Sequence, residues 1–455
     1  LSILLLAAWR TLFGTSLAAL RFLPALCGAL TVFMTGLTAA GMGAGRLGQG
    51  LAALAYMAAA VPMVVFGFYS MNALQLPIWA LLLYLLVRLG DDGSPRLWIA
   101  FGVVAGLGLL NKHTLVLLAV GLGVGLVLTP ARRLLGEKRL WLGAAIAVAL
   151  LLPNLVWQWL NDWPSLEFYR NAAMFKNLPA SPLEVLTAQL LFMNPIGSLV
   201  WLAGLGFLLF SKRAKRGRFL GWLFLTLLVL MMVSGQSRPD RITGVYPVLL
   251  AAGGVFWESL SAKGARVWIA RALMLLLALG GLALAPLGLP VLSPERATAY
   301  GQALGIVPQM ERGDGKKPEL PQWFADRFGW EELVRDVAGV RDEIPQTERE
   351  NMLILAPSYG HAGALELFGP EYGLPAVAGT QNTYHLWGLP AGPIETVISI
   401  GYGSRTLSPY FAEVEQVAVH DCEHCMGWRD GMAIFVARKP TADFHDAWPE
   451  FRYYE

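Results

Sequence analysis

The chain has 455 residues, of which 55% are hydrophobic, and its mean hydropathy is +0.51. This composition is too apolar for a soluble globular protein and is typical of a polytopic membrane protein. Residues 1–290 carry 22 Lys and Arg against 8 Asp and Glu, whereas residues 291–455 carry 13 against 24, so the net charge is only +3. The sequence therefore predicts a basic transmembrane domain, 1–290, followed by an acidic, water-soluble domain, 291–455.

The same composition excludes two other classes of protein. The basic balance of the first part is explained by the inner loops of a membrane protein and does not indicate a nucleic-acid partner. Three cysteines are too few for a disulfide-rich scaffold. The chain starts at Leu1 without the pattern of a signal peptide or a natural start, and we therefore expect further residues upstream of it.

Ten segments of the first part are candidate membrane spans, since a spanning helix needs about 20 mostly apolar residues. Clusters of Lys and Arg mark cytoplasmic loops, and they lie near 132–139, 212–218 and 263–266. The spans then alternate in direction, which places the loops near 112, at 160–189 and at 235–242, and everything after 290, on the outer side. The ten candidates are 17–40, 49–70, 74–90, 97–112, 113–129, 140–158, 190–211, 218–234, 243–260 and 267–289.

Two outer segments have a composition of their own. Residues 1–16 are too few to span from an outer start, and they are predicted to form an interfacial amphipathic helix. The loop 160–189 is long and rich in aromatic residues. It is either a re-entrant or surface-lying helix that lines a cavity, or an interfacial belt that only anchors the protein.

The pattern changes after residue 290. Apolar residues at helical spacing predict a helix over 322–340. Strands that alternate with helices then predict an α/β domain with a mainly parallel sheet. The predicted strands are 352–356, 374–377, 395–400, 414–419 and 432–437, and the predicted helices between them are 362–367 and 407–414.

Cations are few on the predicted outer face, and two pairs of them are candidates for a binding site. Lys112 and His113 lie in the motif NKHT, at a hairpin between two apolar segments, and Arg238 and Arg241 lie in the loop GQSRPDR. An ionisable residue at membrane depth is costly, so it indicates function by default. Lys offers a phosphate a point charge and Arg a bidentate fork. The alternative is that these side chains only snorkel to lipid headgroups.

The order of several motifs resembles a known family. These motifs are LRFLPALCGAL, FGFYSMNALQLPIWALL, GVVAGLGLLNKHT, LLPNLVWQWLNDWPSLEF and YPVLLAAGGV, with SYGHAGALELFGPEYGLP and NTYHLWG in the tail. Together they resemble the bacterial glycosyltransferases related to protein O-mannosyltransferases (family 39), in the GT-C superfamily that includes the aminoarabinose transferase of lipid A. The resemblance covers most of the chain.

This resemblance implies sugar transfer from a polyprenyl-phosphate donor to a lipid, glycan or protein acceptor, at the outer face of a bacterial cytoplasmic membrane. It implies that basic residues hold the lipid phosphate, and the candidates for that role are Lys112, His113, Arg238, Arg241 and Tyr246. The candidates for binding the sugar or the acceptor are Asn72, Tyr169 and His361, although the amide of Asn72 could instead simply cap the next helix. The family's acidic catalytic residue, in the first outer loop, is expected upstream of Leu1.

The chemistry itself needs neither a nucleotide site nor a cofactor, because a polyprenyl phosphate is already a competent leaving group.

Two features of the tail leave alternatives open. The segment HDCEHC offers four donors for a metal, although Cys422 and Cys425 can instead form a disulfide or stay as separate thiols. Residues 358–361 lie where a strand meets a helix, which is either an anion site or an ordinary tight turn.

Two rival functions belong to other classes. A transporter or flippase of lipid-linked sugars predicts polar residues buried in the middle of spans and inverted repeats. A non-catalytic membrane scaffold predicts the same fold without the acidic catalytic residue. The sequence places its polar residues mainly at the ends of spans, which favours the transferase.

Overall fold

A computed structural model describes residues 1–92, 94–177, 179–235, 238–261, 266–305 and 319–455. Two compact units form: the first is Leu1–Asp162 with Leu178–Leu292, and the second is Trp163–Asn177 with Ser293–Glu455. The predicted domain limits, 1–290 and 291–455, stay a prediction. Three sequence features lie outside the described residues: Gln236 and Ser237 of the outer loop, Lys263 of an inner loop, and the tail segment 306–318.

The described residues up to 292 form helices joined by turns and short irregular segments. Its α-helices are α1 (Ser2–Phe13), α2 (Leu17–Gly41), α3 (Arg46–Met57), α4 (Ala60–Val65), α5 (Met71–Asp92), α6 (Pro95–Asn111), α7 (Val116–Val127), α8 (Lys138–Leu160), α9 (Pro164–Asn171), α10 (Pro182–Phe192), α11 (Gly197–Phe210), α12 (Arg218–Ser234), α13 (Tyr246–Leu260) and α14 (Val267–Gly288). A π-helical turn, Ala172–Lys176, follows α9 and belongs with it to the second unit.

The core of the first unit is built around α13, whose first ten residues are all buried. Helix α11 approaches it so closely that a Cβ atom on Gly204 would lie 1.9 Å from the carbonyl oxygen of Leu249. On α7, a Cβ atom on Gly125 would lie 2.3 Å from the carbonyl oxygen of Phe219. Glycines within apolar helices therefore allow close helix packing here, as small residues do in membrane proteins.

The described residues contain four helices that are long and apolar enough to cross a membrane, or six if two bent helix pairs each form one span. The four are 17–41, 71–90, 138–160 and 268–288. The predicted span 49–70 is interrupted, because α3 ends at Met57 and α4 begins at Ala60. The total of ten spans and their direction across the membrane stay predictions.

The predicted interfacial helix at the start of the chain corresponds to α1. None of its residues is buried, and Ile3, Leu4 and Leu12 are each more than 70% exposed. A helix with such a surface is stable only against an apolar environment, so this observation agrees with a position at the membrane interface.

The second unit is a three-layer α/β domain. Its sheet consists of β1 (Met352–Ala356), β2 (Val377–Gly379), β3 (Thr396–Ile400), β4 (Phe411–His420) and β5 (Met432–Pro440), in the order β2-β1-β3-β5-β4. The helices are α15 (Pro294–Ala303), α16 (Gln322–Ala325), α17 (Trp330–Glu343), α18 (Tyr359–Phe368), α19 (Thr383–Trp387), α20 (Ser404–Leu407) and α21 (Phe444–Ala447). One face of the sheet is covered by α17 and α18, and the other by an aromatic cluster that includes Phe411, Phe444 and Trp448.

Four predictions about this unit need correction. The predicted strand 374–377 shares only Val377 with β2, because Leu374 closes the preceding turn and Pro375 has no N–H for a ladder. The sheet is mixed rather than mainly parallel: β1 pairs in parallel with β2 and β3, but β5 is antiparallel to β3 and β4. The reason is the short connection 421–431, which permits only a hairpin between β4 and β5. The predicted helix 322–340 is divided into α16 and α17 at Gly329, whose φ is +86°. The predicted helix 407–414 is wrong, because α20 ends at Leu407 and β4 begins at Phe411.

Candidate functional site

Lys112 lies where two helices of the first unit meet. Helix α6 ends at Asn111, and the backbone of Lys112 is extended before a 3-10 turn, His113–Leu115, leads into α7. Because the helix stops here, the ammonium group is directed to the start of α5, where its Nζ donates to Asn72 Oδ1 at 2.6 Å. The structure therefore brings together one predicted phosphate-binding residue and one predicted sugar-binding residue.

A buried amide pair supports this contact from beside it. The Nδ2 atom of Asn111 donates to the carbonyl oxygen of Met71 and to Gln75 Oε1, both at 2.9 Å. Asn72 and Gln75 are three residues apart on α5, so both side chains face α6. The amide pair fixes the end of α6 against the start of α5, and it thereby fixes the backbone that carries Lys112.

The loop between α12 and α13 supplies the second cation. Pro239 opens a 3-10 turn, Pro239–Val245, directly after Arg238. The Nε and Nη2 atoms of Arg238 donate to the two carboxylate oxygens of Asp240 at 3.0 and 3.2 Å. The loop packs tightly on α5, since a Cβ atom on Gly244 would lie 2.5 Å from the indole ring of Trp79. Glycine is required at this position by the close approach of Trp79.

Asp240 connects the two cations electrostatically. Its partial burial alone would raise the pKa of its carboxyl group, but the charge and hydrogen bonds of Arg238, together with the charge of Lys112, hold that pKa below its usual value. The carboxylate therefore stays ionised at neutral pH. Its side chain is 31% exposed and that of Arg238 is 44% exposed, so the group is accessible to a ligand. We call Asn72, Lys112, Arg238 and Asp240 the cation cluster.

Tyr246 is not part of this accessible group. Its side chain is fully buried against Trp201 and Phe224, and its hydroxyl donates to Gln189 Oε1 at 2.8 Å. The amide nitrogen of Gln189 donates in turn to the carbonyl oxygen of Pro239 at 3.1 Å. Tyr246 thus has a structural position beneath the loop, and we do not retain it as a phosphate ligand.

The other two predicted phosphate ligands lie next to the cluster in sequence. The Nε2 atom of His113 lies 3.0 Å from Asn154 Oδ1 on α8, which directs the imidazole to a different helix from the one that Lys112 contacts. Arg241 is half-buried in the 3-10 turn, and its backbone N–H donates to the carbonyl oxygen of Arg238. The role of both residues in binding stays a prediction.

Tyr169 and His361 lie in the second unit. The imidazole of His361 is only 1% exposed and lies between the rings of Trp330 and Trp428, each 5.6 Å away. Ser358 caps α18 and contacts His361 Nδ1 at 2.7 Å, so the strand-to-helix junction is the ordinary capped turn. His361 is a core residue, and we do not retain it as a ligand contact. Tyr169 lies on α9 with its ring against Phe168.

The cysteine segment forms a disulfide between Cys422 and Cys425. This pairing decides against thiolate ligands for a metal in this segment. Within the described ranges, no three His, Cys, Asp or Glu side chains come together in a way that could hold a metal ion. The expectation that the reaction needs no cofactor stays a prediction.

Sequence reasoning missed the uncharged residues around the cluster. Gln75, Asn111 and Gln189 are all at least nine-tenths buried, and each makes its contacts with another helix or loop. A polar side chain within an apolar helix was a usable signal, because such a residue needs a partner. The sequence alone does not show which partner it has.

Residues 2–157 match the family model described as dolichyl-phosphate-mannose-protein mannosyltransferase, a range that includes Asn72 and Lys112. The fold is similar to that of ArnT from Cupriavidus metallidurans bound to undecaprenyl phosphate, with 16% identity, a TM-score of 0.56, and coverage of 96% of this chain and 87% of that chain.

The chain shares its fold with this solved ArnT structure. The apo state of the same ArnT gives a TM-score of 0.53, again with 16% identity, and covers 96% of this chain and 86% of that chain. The curated proteins include no significant sequence match. The predicted resemblance to GT-C glycosyltransferases is therefore confirmed, by the family model over the first third of the chain and by the fold over nearly all of it.

Proposed function

We propose that this chain is an integral-membrane glycosyltransferase that moves a sugar from a polyprenyl-phosphate donor to an acceptor. The observation that carries the proposal is the cation cluster, in which Arg238 pairs with the partly exposed Asp240, Lys112 bonds to Asn72, and the charge of Lys112 helps to lower the pKa of the Asp240 carboxyl. The family model over residues 2–157 supports the reaction class. The ArnT crystal structure with a similar fold has undecaprenyl phosphate bound, which supports the class of donor.

The cations act on the leaving group. During transfer, the bond between the anomeric carbon and the phosphate oxygen breaks with its electron pair on the phosphate. An acceptor oxygen or nitrogen forms the new bond and passes its proton to a general base. Negative charge grows on the departing phosphate, and fixed cations stabilise it more in the transition state than in the ground state. Lys112 supplies a point charge and Arg238 a planar fork for this purpose.

Asp240 holds the two cations in place and does not act as the general base. A carboxylate whose pKa is lowered is a weak base, whereas a good general base has a pKa near the working pH. Without a bound phosphate, this carboxylate also neutralises cations that would otherwise repel each other. Donor binding then competes with Asp240 for Arg238, and the arginine is released to the phosphate.

Asn72 positions the ammonium group of Lys112 and is placed to contact the sugar. Its amide nitrogen is a donor and its oxygen accepts from Lys112, so the same side chain can donate to a hydroxyl group of the sugar. The proposed location is the cytoplasmic membrane of a bacterium, with several spans and the second unit outside the cytoplasm. A lipid, glycan or protein is the proposed acceptor, and nucleic acid is not.

Incubation of the full-length protein with separate polyprenyl-phosphate sugars tests this function. The protein is reconstituted in liposomes, and lipid extracts are analysed for the donor that is consumed. We expect loss of one donor and appearance of free polyprenyl phosphate in proportion to glycosylated acceptor. Movement of intact donor between the two leaflets without loss of sugar would instead show a flippase and would contradict the proposal.

A further inference from the structure

An exposed aromatic surface lies on the second unit and includes no residue assigned to transfer. Trp387 is 64% exposed, and its ring lies 4.5 Å from that of Tyr384. The hydroxyl of Tyr384 donates to Glu366 Oε2 on α18 at 2.9 Å. A Cβ atom on Gly363 would lie 3.6 Å from that hydroxyl, so the helix surface beside the tyrosine carries no side chain. We call Gly363, Glu366, Tyr384 and Trp387 the aromatic platform.

The platform is held rigidly from below. His385, which lies between the two aromatic residues, stacks on Trp448 with ring centroids 4.8 Å apart and nearly parallel planes. The indole nitrogen of Trp448 donates to the carbonyl oxygen of His385 at 3.1 Å, and His385 Nε2 lies 2.9 Å from the carbonyl oxygen of Trp448. The short helix α19 is thereby fixed with Trp387 facing outwards. Because the platform is preorganised, a ligand loses little free energy in ordering it.

We propose that the aromatic platform binds a neutral or amino sugar residue of a glycan, with the sugar ring stacked on Trp387 and a hydroxyl group donating to Glu366. The face of an indole carries the negative part of the ring quadrupole, and it attracts the C–H groups on the flat side of a sugar. Glu366 accepts from Tyr384 through Oε2, and a carboxylate has several further lone pairs for hydroxyl donors.

The charges and the size of the surface favour a sugar over two other partners. Between Tyr359 and Gly388 the sequence contains two carboxylates, Glu366 and Glu371, and no Lys or Arg. Arg341 of α17 donates to the carbonyl oxygens of Tyr372 and Gly373 in this segment, but the only charge among the platform residues is that of Glu366. A carboxylate at this position disfavours anionic lipid headgroups and does not disfavour neutral or amino sugars. A stable protein partner needs a contact of roughly 1,000 Å² or more. The exposed apolar surface here consists mainly of the indole of Trp387, with Leu386 40% and Leu367 38% exposed next to platform residues in the sequence.

This inference goes beyond the transfer site, because the platform shares no residue with the cation cluster. Its residues fall in the two tail motifs, SYGHAGALELFGPEYGLP and NTYHLWG, to which the transfer reaction gives no role. A glycan site on the second unit would hold a carbohydrate independently of donor consumption. Binding and transfer are therefore measured separately, and the failure of one does not decide the other.

Saturation-transfer-difference NMR tests the platform with maltotriose, chitotriose and mannotriose as probes. The full chain is placed in phosphatidylcholine nanodiscs, since maltoside and glucoside detergents carry sugars that would compete. We expect at least one trisaccharide to receive saturation on its ring C–H protons. Trp387→Ala should weaken its affinity by roughly tenfold or more, while Trp387→Phe retains part of it.

The chain offers a matched control for the carboxylate. Tyr410 donates to Glu450 Oε2 at 2.6 Å, which repeats the tyrosine and carboxylate pair at another exposed position. Glu366→Gln should weaken binding, and Glu450→Gln should leave it unchanged. The proposal is overturned if no trisaccharide binds the wild-type chain, or if Trp387→Ala binds as the wild type does. The proposal is also overturned if the chain binds no trisaccharide but binds anionic vesicles or a peptide in a way that depends on Trp387.

Discussion

Arg238 in the cation cluster and Arg429 in the second unit differ in their exposure to solvent. In the cluster, Arg238 is 44% exposed and pairs with a carboxylate that is itself partly exposed. In the second unit, the side chain of Arg429 is fully buried, and its guanidinium lies 3.9 Å from the ring centre of Trp330. It donates to the carbonyl oxygen of Ala325, and its Nη2 lies 3.5 Å from Asp326 Oδ1. The first arrangement leaves room for a ligand, whereas the second replaces solvent with aromatic rings.

This difference teaches how function is distinguished from packing among cations. A buried guanidinium enclosed by tryptophans stabilises one conformation, and changing it costs folding free energy. A half-exposed guanidinium that pairs with a carboxylate contributes little to stability, but it remains available for an anion. The two arginines should therefore respond to substitution in opposite ways.

The largest expected effect is on turnover at the cation cluster. Lys112→Ala should reduce donor consumption by roughly a hundredfold to a thousandfold, because one fixed charge on the leaving phosphate is removed. Insertion and melting temperature should stay close to those of the wild type. Lys138→Ala, at the start of α8, is the control for removal of a lysine from the same unit. Wild-type turnover in Lys112→Ala would remove this residue from the site.

Substitution of Arg429 and of Arg238 should give the next largest effects, one on stability and the other on turnover. Arg429→Met should destabilise the second unit by about 2–4 kcal/mol, since it removes the contacts with Trp330, Ala325 and Asp326. Arg238→Met should change stability by less than about 1 kcal/mol and yet reduce turnover strongly. Thermal unfolding of both variants, with donor consumption measured per folded molecule, provides the comparison. Equal destabilisation by the two substitutions would contradict it.

Lowering the pH should destabilise the second unit through protonation of His361. Burial first, and then the charges of Arg429 and His420, lower its pKa from 6.5 to about 3. Because the unfolded chain binds the proton at a higher pH than the folded chain, the free energy of unfolding should fall as pH falls below 6.5, by up to about 1.4 kcal/mol per pH unit. His361→Gln should flatten this dependence when unfolding is followed between pH 7 and pH 4. A variant with the wild-type slope would exclude His361 as the cause.

A smaller effect on turnover is expected from substitution of Gln189, which supports the loop that carries Arg238 and Asp240. Gln189→Ala removes the hydrogen bonds to Pro239 and Tyr246, so the turn that carries Arg238 and Asp240 loses its support. We expect roughly a tenfold lower kcat with little change in membrane insertion. Tyr246→Phe removes one of these bonds only and should have a weaker effect. If both variants lowered only the yield of folded protein, Gln189 would have a purely structural role.

The sequence allowed site residues to be chosen where a side chain of suitable chemistry lies at an unusual position. Lys112 and Arg238 could be selected because cations at the outer ends of apolar segments are rare, and Asn72 because its motif resembles a family. The contact between Asn72 and Lys112 joins residues 40 positions apart, and that between Gln189 and Tyr246 joins residues 57 positions apart. Helical periodicity shows which face is buried, but it does not show which helix covers that face.

The second unit shows the same limit for the sheet and for buried charge. Apolar segments located four of the five strands well and placed β2 three residues too early, and the strand order requires knowledge of the hairpin between β4 and β5. The sequence HDCEHC left metal binding and disulfide formation open, because both use the same side chains. His361 resembled a ligand-binding residue since Trp330 and Trp428, which enclose it, lie in distant parts of the sequence.

The central claim is that Lys112 and Arg238 together hold the phosphate of a polyprenyl lipid. Native mass spectrometry of the full chain, released from nanodiscs with undecaprenyl phosphate, measures this directly. We expect the wild type to retain the lipid, Lys112→Ala and Arg238→Ala each to lose most of it, and the Lys138→Ala control to retain it. Equal retention by the wild type and both cluster variants would contradict the account.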